Sequence, residues 1–152
     1  MGARLARVVF VDSSVPVDGG TFFAGWPDGG AELQAVIAEN GGWWPLVPAD
    51  YFDGQGLSAQ QVARILAHST PHPGATLVEP AVLTGPLGEL PATYVLCLLA
   101  GDEPGDTVAE LLTSDRWRLV EMPTGHWPMF SQPRELAQIL LDAASESTTP
   151  TV

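Results

Sequence analysis

"ATYVLCLLAGDEPGDTVAELLTSDRWRLVEM", Ala92 to Met122, is the stretch whose reading decides the fold. Its opening, Ala92–Ala100, is a nearly unbroken apolar run, the pattern of a strand buried on both faces of a parallel sheet. The loop "GDEPGD" follows, then a helix in which Thr107 and Glu110 have capping-box spacing ahead of Leu111 and Leu112. Trp117–Met122 returns as a strand. Strand, helix, strand in that order is a crossover between parallel strands, the repeating unit of an α/β fold.

Upstream, "ARVVFVD" closes on Asp12 and reads as another strand buried on both faces. Between Ser13 and Leu90 the chain is irregular and rich in proline and glycine. Two helices interrupt it. One lies near Ala31–Glu39, with Leu33, Val36 and Ile37 on one face and "NGG" as its stop. The other is capped by Ser58 with Gln61, carries Val62, Ile65 and Leu66 at helical spacing, and ends at "STPHP". Downstream, a final helix opens near Ser131 with Pro133 in its first turn, and Leu136, Ile139, Leu140 and Ala143 mark its buried face. The tail "SESTTPTV" reads as disordered. Three parallel strands, apolar on both sides, make an incomplete sheet, so further strands or another chain should cover it.

The 152 residues amount to one domain by length, with 45% hydrophobic and 16% charged residues. Six basic residues against 18 acidic ones give a net charge of −12, which lacks the basic footprint of a nucleic-acid binder or of a protein held on anionic lipid. The apolar run at the amino terminus contains Asp12 and is too short for a signal segment or a membrane span, so the expected location is cytoplasmic. Cys97 lies inside an apolar strand and reads as a small buried hydrophobe.

His126 stands in "PTGHWPMFSQP", between the last strand and the last helix, where a catalytic base would sit. The chain resembles the α/β-hydrolase superfamily, near its small esterases and hydroxynitrile-lyase-like members. The resemblance is carried in order by "ARVVFVDSSVPVDGGTF", "STPHPGATLVEP", "LPATYVLCLL" and "TGHWPMFSQPRELAQILLDAA". It implies a partial α/β-hydrolase fold over residues 1–145, with about three parallel strands, flanking helices and a cap-like insertion at 13–90, and a disordered tail at 146–152. It further implies that His126 is the base of a Ser-His-acid triad in a carboxylic-ester hydrolase that needs no cofactor.

Relatives carry the nucleophilic serine in G-x-S-x-G between a strand and a helix. These residues contain no such motif. "GLSAQ" around Ser58 has the first glycine only and reads better as a helix cap. Ser13 and Ser14 follow a strand, but no helix starts there and no glycine permits the sharp turn. For the acid, the resemblance implies an aspartate just past the strand matching "TYVLCLL", near the place held here by Ala100, and Asp102 is the first choice if the loop reaches back by two residues. Asp12 is an alternative at the end of its own strand, and Asp106 a further one that would equally cap a helix. His68 and His72 are four apart, but Pro71 and Pro73 break any helix that would align them for a metal. Trp26, Trp43, Trp44, Tyr51 and Phe52 in the insertion, together with Trp127, would line an apolar substrate pocket; the insertion's aromatics would equally serve its own small core or an interface.

Three readings follow. One is an esterase completed by a nucleophile-bearing polypeptide, with a small apolar ester as substrate and no activity in this chain alone. Another is a non-catalytic binding remnant of the fold, with a homo-oligomer or a complementing chain covering its open strand. The last is a small lyase or cyclase that uses His126 as acid or base.

Overall fold

The computed structural model describes residues 5–26 and 28–146, and they group into two compact units. The first comprises the chain up to Val15, a four-residue island at Gly54–Leu57, and everything from Gly85 onward. The second comprises Pro16–Asp53 and Ser58–Thr84.

The first unit is built on a three-stranded parallel sheet in the order β1-β4-β5, with β1 at Val8–Val11, β4 at Ala92–Cys97 and β5 at Trp117–Met122. Val8 lies beside Ala92, and Ala92 beside Trp117. Every residue of the central strand β4 is buried. Its alternate side chains feed two cores, as a sheet covered on both faces requires. Ala92, Tyr94 and Leu96 pack with Trp117 and with Val108 of helix α4 (Asp106–Leu111). On the opposite face Val95 packs with Met122 and with Leu136 of helix α6 (Pro133–Glu146). The small Ala92 leaves room above its strand, and the Phe10 ring of β1 stacks on Trp117 of β5 with centroids 5.4 Å apart and planes at 13°. Arg7 ties the start of β1 to the start of β4 by donating from Nη1 to the Ala92 carbonyl at 2.9 Å. Glu146, at the end of α6, pairs with Arg7 and Arg118.

Several elements depart from the sequence reading. All of β1 is half-buried, because one of its edges faces no other strand among the described residues. β4 stops at Cys97 and not at Ala100, since the Ala100 amide turns back to the Cys97 carbonyl at 3.1 Å. Helix α4 begins at Asp106 with Gly105 at its N-cap and no side-chain cap bond, so the Thr107–Glu110 pair lies inside the helix. A separate short helix α5, Pro128–Ser131, precedes α6. Leu140 is 43% exposed, outside the buried face of α6 that Leu136 and Ala143 define. Ser145 and Glu146 belong to α6, while the rest of the expected tail, 147–152, lies outside the described residues.

The second unit has its own small core of Phe23, Ile37 and Leu77, with Phe22, Leu33 and Trp44 packed around it. Helix α1 (Ala31–Glu39) supplies Ile37, and the four-residue helix α3 (Ala75–Val78) supplies Leu77. A two-residue ladder pairs β2 (Trp43–Trp44) antiparallel with β3 (His72–Pro73). Helix α2 (Ala59–His68) starts at the expected cap: the Gln61 amide donates to Ser58 Oγ, and the Gln61 side chain accepts from the Ser58 amide at 2.8 Å. Among the described residues, no helix is long and apolar enough to cross a membrane.

Candidate functional site

The carboxyl end of the sheet brings together an aspartate and a histidine that are 114 residues apart in sequence. Asp12 extends the β1 ladder by one bond, donating its amide to the Val95 carbonyl at 2.8 Å. It then takes a left-handed conformation with φ 46°, which aspartate tolerates better than most residues. The turn lays its carboxylate across the end of β4. Oδ1 accepts from the Cys97 amide at 3.1 Å, and Oδ2 meets His126 Nδ1 at 2.8 Å. The aspartate side chain is 10% exposed and the imidazole 47%.

The loop that carries His126 is tied on several sides. The Thr124 carbonyl accepts from the Leu99 amide at 3.0 Å, holding the loop to the residues after β4. Thr124 is buried, and its hydroxyl hydrogen-bonds Ser131, whose own hydroxyl reaches the Trp127 carbonyl at 3.2 Å. Gln132 donates to the Pro123 carbonyl at 2.9 Å. The His126 amide donates to Gln55 Oε1 at 2.7 Å, and the Trp127 ring stands edge-on to the imidazole, 5.5 Å between centroids. Gln55 was invisible in the sequence; its only signal is a polar residue between Gly54 and Gly56, both at positive φ.

An ionised carboxylate only accepts, so its bond to Nδ1 selects the tautomer with the proton on Nδ1 and the lone pair on Nε2. Nε2 has no hydrogen-bond partner among the described residues. The aspartate's charge also reaches the core beneath it. Burial first, and Asp12 second, push the Cys97 thiol up to about 12, and the same two causes raise the Tyr94 phenol.

Among the proposed acids, the structure therefore places Asp12 on the imidazole. Asp102 and Glu103 are exposed in the loop beyond the turn that ends β4, and Asp106 is the first residue of α4. Ser58 is occupied as a helix cap, while Ser13 and Ser14 follow Asp12 in a stretch without helix. His68 ends α2, and His72 lies in β3 with Nε2 2.7 Å from Thr76 Oγ1. Among the described residues, no three His, Cys, Asp or Glu side chains gather as a metal site would need. In the insertion, Trp44 joins the second unit's core beside an edge-on His72, and Phe52 is buried. Trp26, against Phe22 and Phe23, is 41% exposed, and Trp43 and Tyr51 are about half exposed.

A parallel sheet with helices on both faces and an Asp-His pair at its carboxyl end defines an α/β protein with acid-base potential. Residues 1–139 match the model of the alpha/beta hydrolase family, and the chain belongs to that family. Its fold is similar to an extracellular α/β-hydrolase from a Paenibacillus species, described as sharing structural and functional homology with tobacco salicylic acid binding protein 2. The TM-score is 0.74 at 20% identity, covering 92% of this chain and 62% of that one. It is also similar to tomato methylketone synthase I, solved with 2-tridecanone and, as a histidine-to-alanine variant, with β-ketoheptanoate. Each of those comparisons gives a TM-score of 0.61 at 15% identity, covering 95% of this chain and 63% of the other. The chain thus spans less than two thirds of the length of these neighbours. A comparison with curated proteins finds no match.

Proposed function

We propose that Asp12 and His126 are the orienting acid and general base of a carboxylic-ester hydrolase site, and that the nucleophile and oxyanion donors come from polypeptide outside these 152 residues. The observation that carries this reading is the 2.8 Å contact between Asp12 Oδ2 and His126 Nδ1, with Nε2 left open. In the completed site a hydroxyl attacks the ester carbonyl while Nε2 takes its proton. The imidazolium returns that proton to the leaving alkoxide, and a water molecule repeats the sequence on the acyl intermediate. Asp12 stays ionised throughout and stabilises the imidazolium. The substrate class is a small apolar ester, and half-buried Trp127 offers an apolar surface beside the base. The complementing polypeptide would be a separate chain or a longer form of this one, acting in the cytoplasm. The isolated chain is expected to hydrolyse no p-nitrophenyl butyrate beyond its H126A variant and to resist fluorophosphonate labelling. Stoichiometric labelling lost on replacing one serine would overturn the reading.

The same open Nε2 favours a second reading, a lyase, because a base without a nucleophile suffices for decarboxylating a β-keto acid. Nε2 takes the proton of the β-keto acid's carboxyl group, the C–C bond to the resulting carboxylate breaks, carbon dioxide leaves, and the enolate takes that proton back from the imidazolium to give a methyl ketone. β-Ketoheptanoate incubated with the isolated chain distinguishes the two. Release of 2-hexanone that disappears in H126A supports the lyase, and a rate equal to that variant's removes it. If the isolated chain shows neither activity, the esterase reading stands, since it expects none there; a longer or complemented form that still hydrolyses no ester leaves a binding remnant of the fold.

A further inference from the structure

Gln55 belongs by sequence to the insertion, yet it falls in the four-residue island Gly54–Leu57 that packs with the sheet unit. Two contacts place it against the histidine's own main chain. Its side-chain Oε1 accepts from the His126 amide at 2.7 Å. Its backbone presses on the preceding residue so closely that a Cβ at Gly125 would lie 2.6 Å from the Gln55 carbonyl oxygen and 2.8 Å from its Cα. Gly125 is buried, and the fit leaves the Gly125–His126 peptide little freedom to rotate. Rotation about the His126 N–Cα bond would swing the imidazole off Asp12, because that torsion sets the ring's direction relative to the clamped amide. The donor is a backbone N–H, so the side-chain atom facing it must be an acceptor, which fixes which way the Gln55 amide is turned.

We propose that Gln55 is a positioning residue for His126: by clamping the Gly125–His126 peptide it holds Nδ1 on Asp12 and keeps the lone pair on Nε2. This rests on the base role proposed for His126. It assigns the glutamine no contact with substrate, and it makes the "GQG" of the insertion part of the site.

The test is nitrogen-15 NMR on the intact chain in alkaline buffer, reading two quantities. Hydrogen exchange of the His126 amide reports the Gln55 bond, and the ring nitrogen shifts report the tautomer. In Gln55→Ala the amide is expected to exchange at least about tenfold faster, and the Nδ1–H tautomer to give way to a mixture. Gln55→Glu, which keeps an acceptor at the same reach, should restore both. A folded Gln55→Ala whose tautomer matches the parent's overturns the proposal, even if exchange accelerates, since the contact would then be structural only. Should Gln55→Ala unfold, Gln55→Met fills the space without an acceptor; failure of both to fold likewise reduces Gln55 to a structural part. Asp12→Asn separates this from the dyad itself. If it leaves the tautomer unchanged, the base reading falls and the positioning role with it; if it shifts the tautomer while Gln55→Ala does not, only the positioning role falls.

Discussion

Asp12 has three tasks at one residue: it bends the chain at φ 46°, it accepts from the Cys97 amide, and it holds the imidazole. Substitutions separate them. Asp12→Ala loses both side-chain bonds and, with them, what offsets the left-handed conformation, which costs a residue with a Cβ roughly 1–2 kcal/mol. Asp12→Gly loses the same bonds without that cost, so it should unfold at higher urea than Asp12→Ala. Asp12→Asn keeps the turn and an acceptor for Cys97 but removes the charge, and in a completed hydrolase the turnover number is expected to fall about 10,000-fold, by analogy with the same change in serine proteases. Cys97 reports on the charge from below. Its thiol is pushed up from 9.0 to about 12, so the folded chain keeps a proton that the unfolded chain has already lost. The sign follows: this contribution is complete below pH 9 and disappears as pH rises toward 12. Urea midpoints should therefore fall more steeply over that range in the parent than in Cys97→Ala, and native Cys97 should not react with a disulfide reagent at neutral pH. His126 was legible because a histidine between a strand and a proline-started helix is a composite signal. Its partner was harder to read. Asp102 looked two residues beyond a strand that actually ends at Cys97, and no linear spacing reveals that β1 and β5 flank β4, which brings Asp12 within reach.

The elements were read best where local chemistry alone forms them. The Ser58–Gln61 capping box and the three apolar strands needed no tertiary knowledge. Removing the cap in Ser58→Ala should cost about 1 kcal/mol, measured as a lower urea midpoint. Thr107 and Glu110 had the same spacing, but Gly105 and Asp106 start α4 two residues earlier and leave the pair inside the helix. The β2–β3 ladder was invisible because two residues carry no period, and only the chain's return at His72 and Pro73 forms it. Packing across the sheet was likewise hidden: nothing in "ATYVLC" says that Ala92 must be small. It is fully buried in register between Val8 and Trp117, on the face where Phe10 and Trp117 stack. Ala92→Leu should therefore force the rings apart and destabilise the chain by about 1–3 kcal/mol. Loss of the near-ultraviolet tryptophan signal would accompany it, whereas an unchanged urea midpoint would show that the stack has room to spare.

For the whole molecule, the feature that bears on association in solution is the edge of β1, which no other strand covers among the described residues. The amides of Val8 and Asp12 point to β4, and alternation along the strand puts those of Phe10 on the same side and of Val9 and Val11 on the open one. A parallel or antiparallel strand from another copy or a complementing chain would find two donors there beside half-buried valines. Purified alone, the chain is expected to self-associate, with a light-scattering mass above that of the 16.1 kDa monomer. Its net charge of −12 opposes association. Raising salt from about 0.01 to about 0.15 M shortens the screening length from roughly 30 to 8 Å and should increase the oligomeric fraction. Val9→Pro removes one outward donor and no bond to β4, so it should shift the mass toward the monomer while the far-ultraviolet spectrum is kept. A parent chain that stays monomeric at every salt concentration would show that the edge is protected within the chain itself, and the complementing strand would then lose its place of attachment.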